Sequence, residues 1–283
     1  MALEKWLIQP GDTRVIDLEG IRRLKVGLVG GQVDIVAHDE PGVRIEVHAV
    51  TGKELRIEAD AGTMEIDHAQ LRWDNFLNSF RNFGVGGPKA EVSIAVPRDI
   101  ALTLGVVSAS ALISGLAAGA KLNTVSGDMI IDGVSGDVTV NAVSGDVQVR
   151  ELVGTLNANS VSGDVTATGH IRTASVDTAS GAVLVDTTGP TDRLSFNTVA
   201  GAVTARLDDG LSTKYALHTL SGKLTVDGAQ RSAGIGASWD GTHGALDGAF
   251  ADVRANTVAG DITVIRRPAA PAEPIEPPTP EEW

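Results

Sequence analysis

The sequence contains no cysteine among its 283 residues, which excludes disulfide bonds and thiolate metal sites. Aromatic residues make up only 4% of the chain, whereas glycine is frequent at 33 residues, a composition that suits thin, closely stacked layers. No run of 18 apolar residues exists, so no transmembrane span is expected. The first residues, MALEKWLIQPGDTR, lack the apolar segment of a signal peptide. We therefore expect a cytoplasmic protein, with surface exposure left open if export uses another route.

Basic residues are also in deficit, because 23 Lys and Arg against 36 Asp and Glu give a net charge of −13. Nucleic-acid binding requires a basic stripe, and neither such a stripe nor a polybasic membrane patch is visible. The six histidines are scattered without the HExxH spacing of a metalloprotease, and no Gly-x-Ser-x-Gly elbow lies between a strand and a helix. The sequence therefore predicts no nucleic-acid partner and no catalytic residues, and it leaves the oligomeric state open.

What the sequence does contain is one repeated phrase: a β-branched residue, then Ser-Gly-Asp, then alternating apolar residues. The phrase is clearest in residues 124–149, TVSGDMIIDGVSGDVTVNAVSGDVQV. Its glycine recurs at steps of 18 to 21 residues, which is typical of stacked repeats. The glycines in question are Gly127, Gly145, Gly163, Gly181, Gly201, Gly222, Gly241 and Gly260.

Apolar columns accompany these glycines, at five and two residues before them and at two and four residues after them. Such alternation marks strands with one buried face, and the period leaves no room for a helix. Four residues before the glycine stands Asn, Asp or His in most repeats, which predicts a sharp bend with a ladder of asparagines. We predict an all-β fold, a parallel, right-handed β-solenoid of about eight to nine coils stacked in chain order behind an N-terminal β-strand cap.

The chain is expected to divide into three parts. Residues 1–100 form the β-rich cap, which covers the open end of the stack, residues 101–265 form the solenoid, and residues 266–283 form a disordered, proline-rich acidic tail. Within the solenoid, residues 229–248 are predicted to form a degenerate terminal coil, rich in Gly and Ala.

One column of carboxylates is the leading candidate for a metal site. Asp128, Asp146 and Asp164 directly follow the glycine in successive repeats, so their side chains are expected about 4.8 Å apart. Their mutual repulsion has to be offset by solvent, by hydrogen bonds to turn amides, or by a cation such as calcium. The known calcium-binding repeats carry Gly-Gly-x-Gly-x-Asp, which this phrase does not match. A turn-forming role is therefore favoured over calcium, and no other cofactor is predicted.

Two further segments are candidates for binding a protein partner. Residues 71–88 interrupt the cap, and aromatic residues at spacings of 3, 4 and 3 would share one face of a short helix that either binds a partner or plugs the fold. In the tail, prolines recur every third residue, as they would on one face of a polyproline II helix. The residues concerned are Trp73, Phe76, Phe80, Phe83, Pro271, Pro274 and Pro277.

The sequence resembles the bacterial adhesin-like family of β-strand repeats, a family of unknown function. The resemblance lies in residues 26–47 (VGLVGGQVDIVAHDEPGVRIEV), in residues 95–109 (AVPRDIALTLGVVSA) and in the repeated VSGDVTV phrases, and it covers roughly 25–265. It implies a solenoid of parallel strands with no established activity, and the adhesin label implies surface exposure and binding of partners.

These features together favour a non-enzymatic scaffold or interaction protein that presents flat β faces. The alternative is a carbohydrate-binding or carbohydrate-cleaving β-helix that uses the strip of Asp128, Asp146 and Asp164. The absence of an arginine in register with that strip disfavours the alternative.

Overall fold

The computed structural model describes residues 3–68 and 87–267, which form twenty β-strands and no helix. All twenty strands belong to one continuous hydrogen-bonded sheet. The N-terminal strands are β1 (Glu4–Ile8), β2 (Arg14–Leu18), β3 (Arg23–His38), β4 (Val43–Thr51), β5 (Leu55–Asp60), β6 (Thr63–His68) and β7 (Lys89–Pro97). The others are β8 (Ala101–Ser114), β9 (Ala120–Ser126), β10 (Met129–Asp132), β11 (Ser135–Ser144), β12 (Val147–Ser162), β13 (Val165–Ser180), β14 (Val183–Thr187), β15 (Arg193–Ala200), β16 (Val203–Asp208), β17 (Thr213–Val226), β18 (Ala229–His243), β19 (Ala251–Ala259) and β20 (Ile262–Arg267).

The centre of the chain is a stack of layers, each with two arms that meet at the repeat glycine. The first arm precedes the glycine and the second arm follows it. Equivalent arms pair in parallel at an offset of 18 residues, so that Met129 of β10 lies on Val147 of β12 and Val138 of β11 lies on Leu156. This register confirms the prediction of an all-β fold built from parallel strands.

The core lies between the two arms, where apolar columns from successive layers stack on one another. Side chains five before, two after and four after the glycine are at most 1% exposed in every repeat from Gly127 to Gly201, as predicted. At about 25 cal/mol per Å² of apolar surface, burial of these columns is the main favourable term for the fold.

The prediction for the end of the first arm was wrong. The alternation of buried and exposed residues does not break at the asparagine. The residue three before the glycine still faces the core, and the residue two before the glycine faces solvent. The physical reason is that the strand stays extended up to the glycine, because among the described non-glycine residues only Ala61, Glu151 and Asp227 have positive φ. The buried residues three before the glycine are Thr124, Ala142, Ser160, Thr178, Thr198, Thr219 and Thr257.

The glycine makes the close stacking of the corners possible. Gly145 has a φ of 111°, and a Cβ added there would lie 2.5 Å from the carbonyl oxygen of Gly127 in the layer before. A side chain would therefore both strain the backbone and separate the two layers.

The C-terminal layers do not stack in chain order. β19 pairs in parallel with both β15 and β17, and β20 pairs with both β16 and β17. The layer formed by β19 and β20 therefore lies between the layer of β15 and β16 and the layer of β17, although β17 comes earlier in the sequence. Gly260 accordingly lies between Gly201 and Gly222 in the column of corners.

The prediction of a terminal coil at residues 229–248 was also wrong. Instead, β18 runs antiparallel to β17 and forms a hairpin with it. Val226 pairs with Ala229 across a loop of Asp227 and Gly228, whose φ values are 53° and 73°. Two positive φ angles are the signature of a type I′ hairpin turn, so the chain reverses here instead of winding on. Gly241 consequently leaves the column of glycines and lies opposite Tyr215.

The N-terminal end of the stack also ends in antiparallel strands. β3 forms a complete layer that pairs in parallel with β8, and on its other side it pairs with β6 and β7. β5 and β4 then run antiparallel to β6 and β7, and β1 and β2 run antiparallel to β5 and β4. Reversed strands therefore cover both ends of the parallel stack.

Replacement of Gly163 by Ala tests the role of the corner. The new Cβ would overlap the carbonyl oxygen of Gly145 at a φ of 116°, so we expect the free energy of unfolding to fall by roughly 2–4 kcal/mol. Gly210→Ala is the matched control, because nothing lies within 4 Å of its added Cβ, and its effect should stay within about 0.5 kcal/mol. Urea unfolding followed by circular dichroism measures both. Equal midpoints for the two variants would contradict this role of the corner.

Candidate functional site

The most distinctive surface of the structure is a column of apolar side chains exposed at the corner of the layers. We call it the valine ladder. Five large members are between 42% and 54% exposed, although Val and Leu are usually buried. The ladder consists, in spatial order, of Val125, Val143, Val161, Ala179, Val199, Val258 and Leu220.

Strand register holds the ladder straight. Ser144 pairs with Ser126 and Ser162 pairs with Ser180, so the residues just before them stack as well. Ala259 pairs with both Ala200 and Ser221, which places Val258 between Val199 and Leu220. Adjacent members are therefore about 4.8 Å apart. At the end of the column, Ile235 of β18 is 93% exposed and lies opposite Ser221, in the column next to the ladder.

A second column, the asparagine ladder, runs beside the valine ladder on the same face. Asn141 donates a hydrogen bond through Nδ2 to Oδ1 of Asn123 at 3.0 Å, and Asn159 donates in the same way to Asn141. Asn256 continues the column by donating to Asn197 at 2.9 Å. The predicted ladder is therefore present, but it lies on an extended strand and not at a bend.

The carboxylates of the Asp strip bind backbone amides of the next layer. Oδ1 of Asp128 accepts a hydrogen bond from the amide of Asp146 at 3.0 Å, and Oδ1 of Asp146 accepts one from the amide of Asp164 at 2.9 Å. Oδ1 of Asp164 accepts one from Ala182, and Asp261 accepts one from Lys223. Each carboxylate thus satisfies an amide at the corner where the ladder of backbone hydrogen bonds is interrupted.

Residues 3–68 and 87–267 contain no group of three or more His, Asp or Glu side chains that could hold a metal ion. Calcium at Asp128, Asp146 and Asp164 stays a prediction. The other candidates from the sequence, Trp73, Phe76, Phe80, Phe83, Pro271, Pro274 and Pro277, lie outside the described residues.

A buried polar cluster lies at the end of β6. Arg56 donates hydrogen bonds to both carboxylate oxygens of Asp67, at 2.8 Å and 2.5 Å, and these bonds raise the pKa of Arg56. The neighbouring His68 is 1% exposed, and its Nδ1 accepts a hydrogen bond from the amide of Val29 at 3.2 Å. Within the described residues, Nε2 of His68 has no hydrogen-bond partner. Burial lowers the pKa of His68 to about 4, so the ring is neutral at pH 7.

The sequence reasoning missed the valine ladder because it assigned this column to the core. A usable signal was present in the neighbouring column. Thr, Ser or Ala stands three residues before the glycine in every layer of the ladder, and that position keeps strict two-residue alternation with the apolar column five before the glycine. Uninterrupted alternation would have placed the valines on the outer face.

Comparison with known proteins identifies the family. The Toastrack DUF4097 family matches residues 21–265. This chain is a member of that family. The match confirms the predicted resemblance to a family of β-strand repeats with unknown function, and it spans the described layers from the start of β3 to β20.

Several solved structures resemble this Toastrack DUF4097 chain at low identity. A “putative adhesin” from Bacteroides fragilis is 10% identical, and the similarity covers 91% of this chain and 100% of that chain with a TM-score of 0.45. A “putative lipid binding protein” from Parabacteroides distasonis is 13% identical over 91% of this chain and 98% of that chain, with a TM-score of 0.32. A “putative cell adhesion protein” from Clostridium sporogenes is 12% identical over 94% and 99%, with a TM-score of 0.25.

No curated protein matches the sequence. Across residues 3–68 and 87–267, the Toastrack DUF4097 chain has no helix with the length and hydropathy that crossing a membrane requires.

The neutral, buried His68 predicts a loss of stability in mild acid. Its pKa is about 4 in the folded protein and about 6.5 in an unfolded chain, so protons bind preferentially to the unfolded state between these values. The free energy of unfolding should therefore fall as the pH drops from about 6.5 to 4, by roughly 3 kcal/mol. His68→Asn keeps an acceptor for the amide of Val29 and cannot titrate, so its pH dependence should be flatter.

Urea unfolding of the wild type and of the variant at several pH values measures this difference. His48→Asn, which makes the same substitution at an exposed histidine, is the matched control. A His68→Asn profile that is parallel to that of the wild type would contradict the assignment.

Asp146→Ala should destabilise the protein by about 1 kcal/mol, since the amide of Asp164 loses its acceptor. Asp146→Asn retains a side-chain oxygen and should lose less. Asp137→Ala removes an exposed carboxylate from the neighbouring motif and is the control. Thermal melts of the three variants test whether the strip satisfies backbone amides; an Asp146→Ala melt identical to the Asp137→Ala melt would speak against it.

Calorimetric titration with calcium separates the two roles of the strip. We expect no saturable heat, because one oxygen of each carboxylate already accepts an amide hydrogen bond. Saturable heat that disappears in Asp146→Ala would instead support a metal site.

Proposed function

We propose that this protein is a non-enzymatic interaction protein, a rigid right-handed β-solenoid that binds a protein partner along the valine ladder. The observation that carries the proposal is the exposure of Val143, Val161, Val199, Val258 and Leu220 in one straight column. Soluble proteins rarely expose a large contiguous apolar patch unless it binds something.

The second argument for a binding role is that hydrogen-bonded strands and buried side chains hold the ladder in place. Every member lies on a strand that is hydrogen-bonded on both sides, and the Thr and Ser side chains behind it are buried against the corner. Thr219, for example, donates a hydrogen bond to the carbonyl of Gly260 at 3.0 Å. A partner would therefore meet a preorganised surface, and little conformational entropy would be lost on binding.

The composition of the Asp strip favours binding over catalysis. Among the described residues, Asp128, Asp146 and Asp164 form no ion pair, and no histidine or arginine hydrogen-bonds to them. General acid–base chemistry needs a second titratable group within hydrogen-bond reach of the first.

The same proposal includes the parts of the chain that the sequence singled out. We place further partner contacts in the aromatic segment 71–88 and in the tail 266–283, whose first two residues, Arg266 and Arg267, belong to β20 and not to a disordered segment as predicted. We assign residues 1–100 to the cap and residues 101–265 to the solenoid. The protein would act in the cytoplasm, where a chain without cysteine loses nothing by the absence of disulfides.

Partner capture tests the proposal. The full-length protein and the double variant Val161→Lys/Val199→Lys are immobilised and exposed to lysate of the source organism, and the bound proteins are identified by mass spectrometry. We expect the double variant to retain at least tenfold less partner, because two ammonium groups would have to be desolvated in the contact. Leu184→Lys/Ile265→Lys is the matched control, since both residues are similarly exposed on the second arm. Equal capture by both double variants would contradict the proposal.

A further inference from the structure

We propose that the partner on the valine ladder is the valine ladder of a second copy of this chain. This inference rests on the proposed function, because it names the occupant of the same surface. Three properties of the described residues point to a second copy: the spacing of the ladder, its lack of charge and its area.

A second copy of the chain has the same spacing of side chains as the ladder, whereas an extended peptide or an α-helix does not. The members of the ladder repeat at about 4.8 Å because each one occupies a successive hydrogen-bonded strand. An extended peptide laid along the ladder would present side chains about 6.7 Å apart on one face, and an α-helix one turn every 5.4 Å, so both would lose register within a few layers. Another ladder has the same period and stays in register over the full length, as the packed sheets of a steric zipper do.

The charge of the face permits two copies to approach. The chain as a whole carries a net charge of −13, so most pairs of surfaces would repel one another. All seven members of the ladder are uncharged, and the column two residues before them carries one carboxylate, Asp177. That carboxylate accepts a hydrogen bond from Nδ2 of Asn197 at 2.7 Å. The exposed Asp strip begins three residues beyond the ladder, past the corner glycine, so like charges are few within the ladder face itself and lie at its border.

The area of the face is sufficient for a weak dimer. Seven layers at about 4.8 Å make the ladder about 30 Å long. The flanking Asn and Ser columns lie three residues apart on each strand, so the face is about 10 Å wide between them and about 15 Å wide with their side chains. Two copies would remove roughly 900 Å² of surface from water, which is the size of weak, transient contacts. We therefore expect a dissociation constant on the order of micromolar.

Site-specific cross-linking tests this inference on the full chain, and the absence of native cysteine keeps the background clean. Ala179 is exposed at the middle of the ladder, so Ala179→Cys should form a disulfide-linked dimer under mild oxidation whether the two stacks run parallel or antiparallel. Leu184→Cys is the control, because Leu184 is exposed on the second arm, away from the ladder. We expect at least tenfold faster cross-linking for Ala179→Cys.

Sedimentation of the wild type over a range of concentrations supplies the second measurement. The wild type should pass from monomer to dimer, and Val161→Lys/Val199→Lys should weaken the dimer by roughly 100-fold, while Leu184→Lys/Ile265→Lys leaves it unchanged. Equal rates of cross-linking at both positions, or a wild type that stays monomeric at 100-fold above the expected dissociation constant, would overturn the inference. In that case, capture of another protein that is lost in Val161→Lys/Val199→Lys would leave the proposed function standing.

Discussion

The hydrogen bonding of each strand to its copy one layer away is the interaction on which the rest of this structure depends. It places valine on valine and glycine on glycine at a fixed spacing, and it leaves room at the corner for nothing larger than a hydrogen atom on Cα. The core, the buried threonines, the asparagine ladder and the amides held by the Asp strip all follow from that register. A repeat that loses its glycine or shifts by one residue would lose all of these at once.

A regular stack also determines what its surface can be. In a globular domain a single exposed valine is ordinary, but in a register-locked repeat the same choice recurs in every layer and becomes a continuous stripe. The valine ladder is such a stripe, because an apolar residue occupies the same outward position in each layer. The nearly uncharged column of asparagines beside it arises in the same way. The Asp strip shows the opposite outcome, because repeated carboxylates accumulate charge that successive backbone amides help to offset.

Much of this architecture could be predicted from the sequence, because the period and the alternation report directly on strands and on buried faces. The columns that contain Val147 and Val149 were assigned correctly for that reason. The valine ladder was misassigned because hydrophobicity outweighed the unbroken alternation through Thr124 and Ser160. The order of the last layers could not be obtained from periodicity, since Gly222 and Gly260 fit the pattern equally well in either order. Only the Asp227–Gly228 turn, whose conformation reverses the chain, separates the two arrangements.

The inserted final layer has a consequence for how the protein is made. β17 has no partner in the stack other than β19 and β20, which the ribosome produces later. Until then the hairpin of β17 and β18 can form only by itself, and the edge of β15 and β16 stays open. The C-terminal layers can therefore join the stack only after residues 251–267 have left the ribosome, so the order of synthesis and the order of stacking differ at this end of the molecule.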